Sequence, residues 1–224
     1  MKLCALIAGG GRGERFGKER PKQFQYLKGK PVIAWCIEAF REVPYIRGLV
    51  LVVPSGWEEE AHRIAQEFSR GLPYKVVTGG PSRAHSVLNG LEAVEDGCEW
   101  VAVHDAARPG IHTHQIEAAV LLARDIGASV VATPVVDTVK LVDSSRLIMK
   151  TIPRDQVYLA QTPQVARRAV LLKAYTNDDS LLVHATDEAS LLEVLGIPIG
   201  VVDGGINNLK ITRSEDLKFL EEIL

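Results

Sequence analysis

Cysteine is scarce in this chain. Cys4, Cys36 and Cys98 are its three, with no CxxC spacing and no even number to pair. That excludes a disulfide framework and makes a reducing cytosol the expected compartment. Aromatics are few as well, at 6%, and do not alternate with basic residues, which argues against a platform for stacking single-stranded nucleic acid. No apolar run approaches the ~18 residues that cross a bilayer. The opening run Leu3–Ala8 is too short for the core of a secretory signal. A dominant charge is missing too: 26 Lys and Arg stand against 28 Asp and Glu, a net of −2. Neither a nucleic-acid coat nor a membrane binder is expected from such a balance, and any anion site must be local. G-x-S-x-G does not occur, so a hydrolase nucleophile lacks its elbow. His112 and His114 stand without further ligands nearby, which disfavours zinc.

What the chain does have is a rhythm. Short apolar runs at Leu3–Ala8, Leu49–Val53, Tyr74–Val77, Trp100–Val103 and Ser129–Ala132 alternate with segments of helical period. Ala84, Val87, Leu88 and Leu91 fall at i, i+3, i+4, i+7, and Ile116, Ala119, Val120 and Ala123 repeat the spacing. Near-continuous apolar strands are expected where both faces of a sheet are covered. The pattern therefore predicts an α/β domain with a mostly parallel sheet and helices on both faces, one unit over 1–224. It breaks after Pro134. Asp137–Val142 and Leu147–Ile152 read as two strands around a turn at Asp143–Arg146, giving an arm over about 137–153 that either projects toward a partner or folds back on its own domain. Further on, a strand is expected near Val157–Gln161 and a helix from about Arg167. Thr186-Asp187-Glu188 reads as a helix start with a hydroxyl cap. Strands follow at Ile197–Val202 and Leu209–Thr212. Thr212 with Glu215 reads as a capping box for a last helix whose Leu217, Leu220 and Leu224 face inward.

Three segments carry possible chemistry. The first is Ala8-Gly9-Gly10-Gly11-Arg12-Gly13-Glu14-Arg15-Phe16-Gly17-Lys18. A dinucleotide fingerprint would need glycine at 14 or 16, where Glu14 and Phe16 stand. A Walker loop would need glycine at 12 and a hydroxyl at 19, where Arg12 and Glu19 stand. From 11 to 22, Arg12, Arg15, Lys18, Arg20 and Lys22 outnumber Glu14 and Glu19. Exposed backbone N–H groups with concentrated cations suit a triphosphate, and a flexible loop with a solvated basic face is the alternative. The second is Gly79-Gly80-Pro81-Ser82-Arg83-Ala84-His85-Ser86, either an anion or base-edge pocket or an ordinary turn capped by Ser82. The third is His104-Asp105-Ala106-Ala107-Arg108-Pro109. Asp105 is placed to hold hydrated Mg²⁺ or a substrate hydroxyl, or else to pair with Arg108. His104 reads as a packed imidazole rather than a base. All three follow expected parallel strands at their C-terminal ends, where open α/β sheets bind ligands.

With Pro21-Lys22-Gln23, Asp137-Thr138-Val139-Lys140, Thr162-Pro163-Gln164, Thr186-Asp187-Glu188-Ala189 and Asn208-Leu209-Lys210-Ile211-Thr212, these segments resemble the 2-C-methyl-D-erythritol 4-phosphate cytidylyltransferase family along essentially the whole chain. The resemblance implies a Rossmann-like nucleotidyltransferase fold, CTP and a small polyol phosphate as substrates, Mg²⁺ held mainly by the phosphates with Asp105 as its candidate protein ligand, and a cytoplasmic homodimer joined through the arm. It implies that Arg15 and Lys22 stabilise the transition state. Arg154 and Lys210 would position the sugar phosphate with Asp105, Thr138 and Thr186 nearby, Arg154 and Thr138 coming from the partner. Gly9, Gly10, Gly11, Gly13, Gly79, Arg83, Ser86, Asp105 and Ala106 would line the nucleotide. The related ribitol-5-phosphate cytidylyltransferases typically carry a bulkier residue before the arginine of the Asp105 segment, so Ala106-Ala107-Arg108 favours methylerythritol phosphate. A non-catalytic nucleotide-binding module is a further alternative, disfavoured by the retained cations.

Overall fold

The computed structural model describes residues 1–11, 20–177, 182 and 185–224. The chain opens with β1 (Leu3–Ala8), followed by the short strands β2 (Tyr26–Leu27) and β3 (Lys30–Pro31) and helix α1 (Val32–Arg41). β4 (Ile46–Val53), α2 (Glu58–Phe68), β5 (Tyr74–Thr78), α3 (Arg83–Ala93), β6 (Trp100–Asp105), α4 (Thr113–Ile126) and β7 (Ala128–Pro134) then alternate as the sequence pattern predicts. Next come a hairpin, β8 (Val139–Val142) and β9 (Ile148–Ile152), then β10 (Tyr158–Arg167) and α5 (Arg168–Thr176). The last described elements are α6 (Glu188–Val194), β11 (Ile199–Asp203) and α7 (Ser214–Ile223).

Seven strands join in one sheet in the order β11-β7-β10-β6-β1-β4-β5. β1 pairs in parallel with β4 and β6, β4 with β5, and β7 with β11, whereas β10 runs antiparallel between β6 and β7. The apolar runs explain the layering. In β1, Leu3, Ala5 and Ile7 point into one core and Cys4 and Leu6 into the other; β4 divides Leu49, Leu51 and Val53 from Val50 and Val52 in the same way. Alternation of side chains across a strand thus puts an apolar residue on both faces at every step. One face is closed by α1, α2 and α4 through residues such as Ile37, Phe40, Ile64 and Val120. The other is closed by α3, α5 and α6 through Val87, Leu91, Leu171 and Leu192. α7 packs at the sheet's crest, where Leu220 meets Leu27, Ala107 and Ile211.

Four details differ from expectation. The strand expected to end near Gln161 continues to Arg167, held on both sides by ladders to β6 and β7. Leu209–Thr212 is not a strand; no ladder among the described residues pairs it, and its backbone is anchored by Ile211, whose N–H donates to the Ala107 carbonyl at 2.8 Å and whose side chain is buried. The last helix is capped by Asp216 rather than Glu215: its Oδ2 accepts from Thr212 N, Thr212 Oγ1 and Arg213 N at 2.7–2.9 Å. α6 is capped by the Asp187 carboxylate, which accepts from Ser190 N at 3.0 Å, and not by the Thr186 hydroxyl. Cys4 and Cys98, distant in sequence, line one small cavity of about 20 Å³; all three cysteines are free thiols. The hairpin is present as expected and forms its own two-stranded sheet. Asp143 Oδ1 closes its turn by accepting from Ser145 N and Leu147 N at 2.9 Å.

Candidate active site

The C-terminal ends of β1, β5 and β6 open into a crevice of about 450 Å³. Its floor is stitched from backbone. Gly9 N–H donates to Val52 O, Gly79 N–H to Val53 O and Ala106 N–H to Ala8 O, at 2.8–2.9 Å, so each turn begins tied to the neighbouring strand. Two of the glycines are required by this packing. A Cβ on Gly79 would stand 2.7 Å from the Gly10 Cα, and one on Gly10 would stand 2.6 Å from Ser86 Oγ. Gly11, by contrast, faces open space. Ser86 serves the turn itself: its Oγ accepts from Gly80 N at 3.0 Å and donates to Ser82 O at 2.8 Å. Ser82 caps α3 as expected, accepting from His85 N. Gln23, almost fully buried, donates through Nε2 to Gly9 O at 2.5 Å and Gly11 O at 3.3 Å. With those carbonyls held, the first turn keeps its path along the crevice.

Asp105 lies at the end of β6 and is the centre of charge. Its Oδ2 accepts from Lys210 Nζ at 2.8 Å and Arg108 Nε at 3.3 Å, and Oδ1 faces Arg83 Nε and Nη2 at 3.5 Å. Burial alone would raise its pKa, but Lys210, Arg83 and Arg108 outweigh that and hold the carboxyl well below the usual range. It is therefore a fixed anion and a poor proton acceptor. Arg83 itself forks onto Glu188, Nη1 to Oε1 at 2.8 Å and Nη2 to Oε2 at 3.1 Å.

Behind Asp105 the polar groups form a closed chain. Asp105 N–H donates to Thr162 Oγ1 at 2.9 Å, and that hydroxyl lies 3.0 Å from His104 Nδ1. The hydroxyl proton thus points at Nδ1, which leaves Nε2 to donate to Arg108 O at 3.1 Å. Burial drives the His104 pKa down to about 4, against the pull of Asp105. His104 is a neutral framework group, as the sequence suggested. Arg108 Nη1 donates to Asn208 O at 2.9 Å, and Asn208 Nδ2 donates to Gln161 Oε1 and Thr162 O at 2.8 Å. These bonds fix the connector that carries Lys210.

Lys22 enters from the short turn Lys22–Phe24, lines the crevice, and donates to Ile211 O at 2.7 Å. The turn is steadied by Arg20, which bonds Phe24 O and Glu60 at 2.6 and 2.7 Å beside Trp57. Of the expected site residues, the structure brings together Gly9, Gly10, Gly11, Lys22, Arg83, Ser86, Asp105, Ala106 and Lys210 around one cavity, with Gly79 immediately beneath it. Gly13 and Arg15 lie outside the described residues. Thr138 and Arg154 stand exposed at the base of the arm, Arg154 donating to Val136 O, and Thr186 is exposed ahead of α6; none of these three lines the crevice of its own chain. Gln23, Glu188, Thr162 and Asn208 escape a reading for site chemistry. All four sit inside the motifs that carry the resemblance, but only their spatial partners reveal what they do.

A carboxylate with acceptor capacity on Oδ1, next to room in a glycine-floored cavity, fits one ligand or one bound water of a hydrated Mg²⁺. Among the described residues no cluster of three His, Cys, Asp or Glu could cage a cation by itself. No helix among the described residues is long and apolar enough to cross a membrane.

Comparison with known proteins gives a consistent result. The family model described as 2-C-methyl-D-erythritol 4-phosphate cytidylyltransferase matches residues 3–224. Proteins of that name from Alkaliphilus oremlandii and Alkaliphilus metalliredigens are 37% and 38% identical over 224 residues, covering all of this chain and 95% and 93% of theirs. Among solved structures, 4-diphosphocytidyl-2C-methyl-D-erythritol synthase of Anaerococcus prevotii superposes with a TM-score of 0.87 at 26% identity, covering 99% of this chain and 95% of that one. The 2-C-methyl-D-erythritol 4-phosphate cytidylyltransferase of Thermus thermophilus superposes with a TM-score of 0.80 at 30% identity, covering 100% and 98%. The fold is thus the Rossmann-like α/β nucleotidyltransferase fold that the resemblance implies.

Proposed function

The chain belongs to the 2-C-methyl-D-erythritol 4-phosphate cytidylyltransferase family, and from that premise we infer that its crevice transfers a cytidylyl group from CTP to 2-C-methyl-D-erythritol 4-phosphate with release of pyrophosphate. The observation that supports this most is one cavity that joins a backbone floor, a fixed carboxylate and the side chains of Lys22, Lys210 and Arg83 at the carboxyl ends of parallel strands.

The chemistry follows from what these groups can and cannot do. A phosphate monoester has a second pKa of ~6 and is largely dianionic at neutral pH, so the nucleophile needs no base. His104 is sealed and neutral and Asp105 is held ionised, which agrees with that. An oxygen of the acceptor phosphate forms a bond to the α-phosphorus of CTP. The bond from that phosphorus to the β-phosphate bridging oxygen breaks, and pyrophosphate leaves with the electron pair. The obstacle is repulsion between two anions. Lys22 reaches into the cavity from one wall and Lys210 from another, both able to lower that repulsion as charge builds on the equatorial oxygens. The family resemblance assigns Arg15 the same task. Asp105 is the crevice carboxylate that would hold a Mg²⁺ ion brought by the triphosphate, and the ion would supply further charge neutralisation. Ala107 lines the cavity beside Asp105, and its small side chain leaves space on the acceptor side.

The arm completes the proposal. Leu147, Ile148 and Met149 are about two-thirds exposed (67%, 65% and 65%), a patch that wants a cover. A second copy provides it in a homodimer, and carries Thr138 and Arg154 toward the neighbour's acceptor phosphate. The enzyme is assigned to the cytoplasm. The test is pyrophosphate release with each of the four nucleoside triphosphates against methylerythritol phosphate and ribitol 5-phosphate. CTP with methylerythritol phosphate is expected to dominate. Faster release with ribitol phosphate would replace the acceptor, and CTP binding without release in either arm would refute transfer.

A further inference from the structure

Glu188 is a carboxylate with no exposure to solvent, whereas such groups normally sit in water. Burying it is costly unless its oxygens are filled and its charge is matched. Both conditions are met by two residues. Arg83 donates a charged fork at 2.8 and 3.1 Å, and Tyr175 OH donates to Oε1 at 2.7 Å. The start of α6 adds a favourable dipole, because Glu188 is the first residue of that helix. In the sequence this position reads as a helix-start acid inside the Thr186–Ala189 motif, with no role of its own.

The other end of the same guanidinium looks into the crevice. Arg83 lines the cavity and faces Asp105, but at 3.5 Å, well beyond its distances to Glu188. Asp105 keeps its short contact for Lys210, at 2.8 Å. Arg83 therefore stands between two carboxylates and is drawn to the buried one. We propose that Glu188 is a positioning residue for cytidylyl transfer: by holding Arg83 back, it leaves Asp105 to Lys210 and fixes the guanidinium at the nucleotide wall of the crevice. Without the Glu188 charge, Asp105 becomes the strongest anion within reach of Arg83. The guanidinium then closes on Asp105 and competes with Lys210 for it, which disturbs two crevice groups at once. The inference rests on the transfer reading of the crevice.

The test is a double-mutant cycle on kcat/KM for CTP, with urea midpoints recorded alongside. Glu188→Gln keeps the side chain's size and one acceptor for Tyr175 while removing the charge. It is expected to lower kcat/KM about tenfold. In an Arg83→Gln background the same change is expected to cost less than about twofold, because the residue through which Glu188 acts is gone. A merely structural role would give the opposite result: a similar loss in both backgrounds, following the urea midpoint. That outcome, or parent-like kinetics for Glu188→Gln, overturns the proposal. Should Glu188→Gln fail to fold, Glu188→Asp replaces it; this variant keeps the charge but withdraws it by one methylene, and its loss must likewise vanish with Arg83→Gln. A parent chain that releases no pyrophosphate from CTP would refute the transfer reading and this proposal with it. An active parent with an additive cycle refutes only the role of Glu188.

Discussion

The crevice and the arm use residues in opposite ways. At the crevice, polar groups are buried and nearly all are engaged. Gln23, His104, Asp105, Thr162, Glu188 and Asn208 are all under a tenth exposed, and each is held by hydrogen bonds to groups from other elements. At the arm, apolar groups are exposed, and the hairpin's own bonds do little more than close its turn and its ladder. One region has its polar framework satisfied within a single chain, since removing a buried member such as Thr162 strands Asp105 N–H and the His104 ring without their partner. The other has its apolar area still to bury. The difference separates what this fold needs to be stable from what it needs to be complete.

The largest expected effect breaks the crevice chemically without breaking the fold. Lys22→Ala should lower kcat by ~10²-fold or more, about 3 kcal/mol of barrier, with little change in melting temperature. Pyrophosphate release measures it, and near-parental turnover would remove Lys22 from the reaction. Next is the acid limit of the crevice framework. His104 is held neutral with its pKa lowered to about 4, while the unfolded chain binds that proton near the ordinary ~6.5. Its contribution is therefore complete above pH ~6.5 and declines as pH falls toward about 4, by roughly 3 kcal/mol at most. Melting temperatures from pH 7 to 4 should drop, and a His104→Gln variant should show a flatter profile over the same window.

Gln23→Ala comes third. It leaves two turn carbonyls without their donor, at a cost of about 1 kcal/mol, since Gly11 is exposed and water reaches its carbonyl. Since those carbonyls belong to Gly9 and Gly11, KM for CTP should rise more than kcat falls. Denaturation with parallel kinetics would check the split, and equal effects on both constants would count against it. The smallest effect on stability sharpens the contrast most. Ile148→Asp on the arm should change the stability of the isolated chain by less than about 0.5 kcal/mol. Sedimentation should nonetheless show a shift from dimer toward monomer. A variant that loses stability as a core mutant would mean that the arm packs on its own domain.

The parts legible in the sequence were those that depend on local pattern. Leu3–Ala8 and Leu49–Val53 fill both faces of a strand with apolar groups, and no partner is needed to see that. The turn at Asp143–Arg146 announced itself in the same way, as did the anion-friendly glycines around 9–11 and 79–80. What was not legible depends on pairing across space. Thr162 is an ordinary threonine until β10 lies against β6 and places its hydroxyl between Asp105 and His104. Glu188 reads as a helix-start acid until α6 and α3 meet over the same sheet face. Leu209–Thr212 has the composition of a strand but joins no ladder among the described residues, and it passes over the crest as a connector that delivers Lys210. The second half of β10, beyond the expected end near Gln161, is illegible for a similar reason: Pro163 and the polar residues Gln161, Thr162 and Gln164 interrupt the apolar run, yet all three polar side chains are buried with partners.

The contact between Gly10 and Gly79 reaches beyond catalysis. Each backbone occupies the space into which the other would grow a methyl group, so the two turns share one allowance of volume. Neither can drift during evolution unless its counterpart moves in step. A pairwise substitution scan should therefore find the two positions epistatic, with alanine at one site sensitising the enzyme to any enlargement at the other.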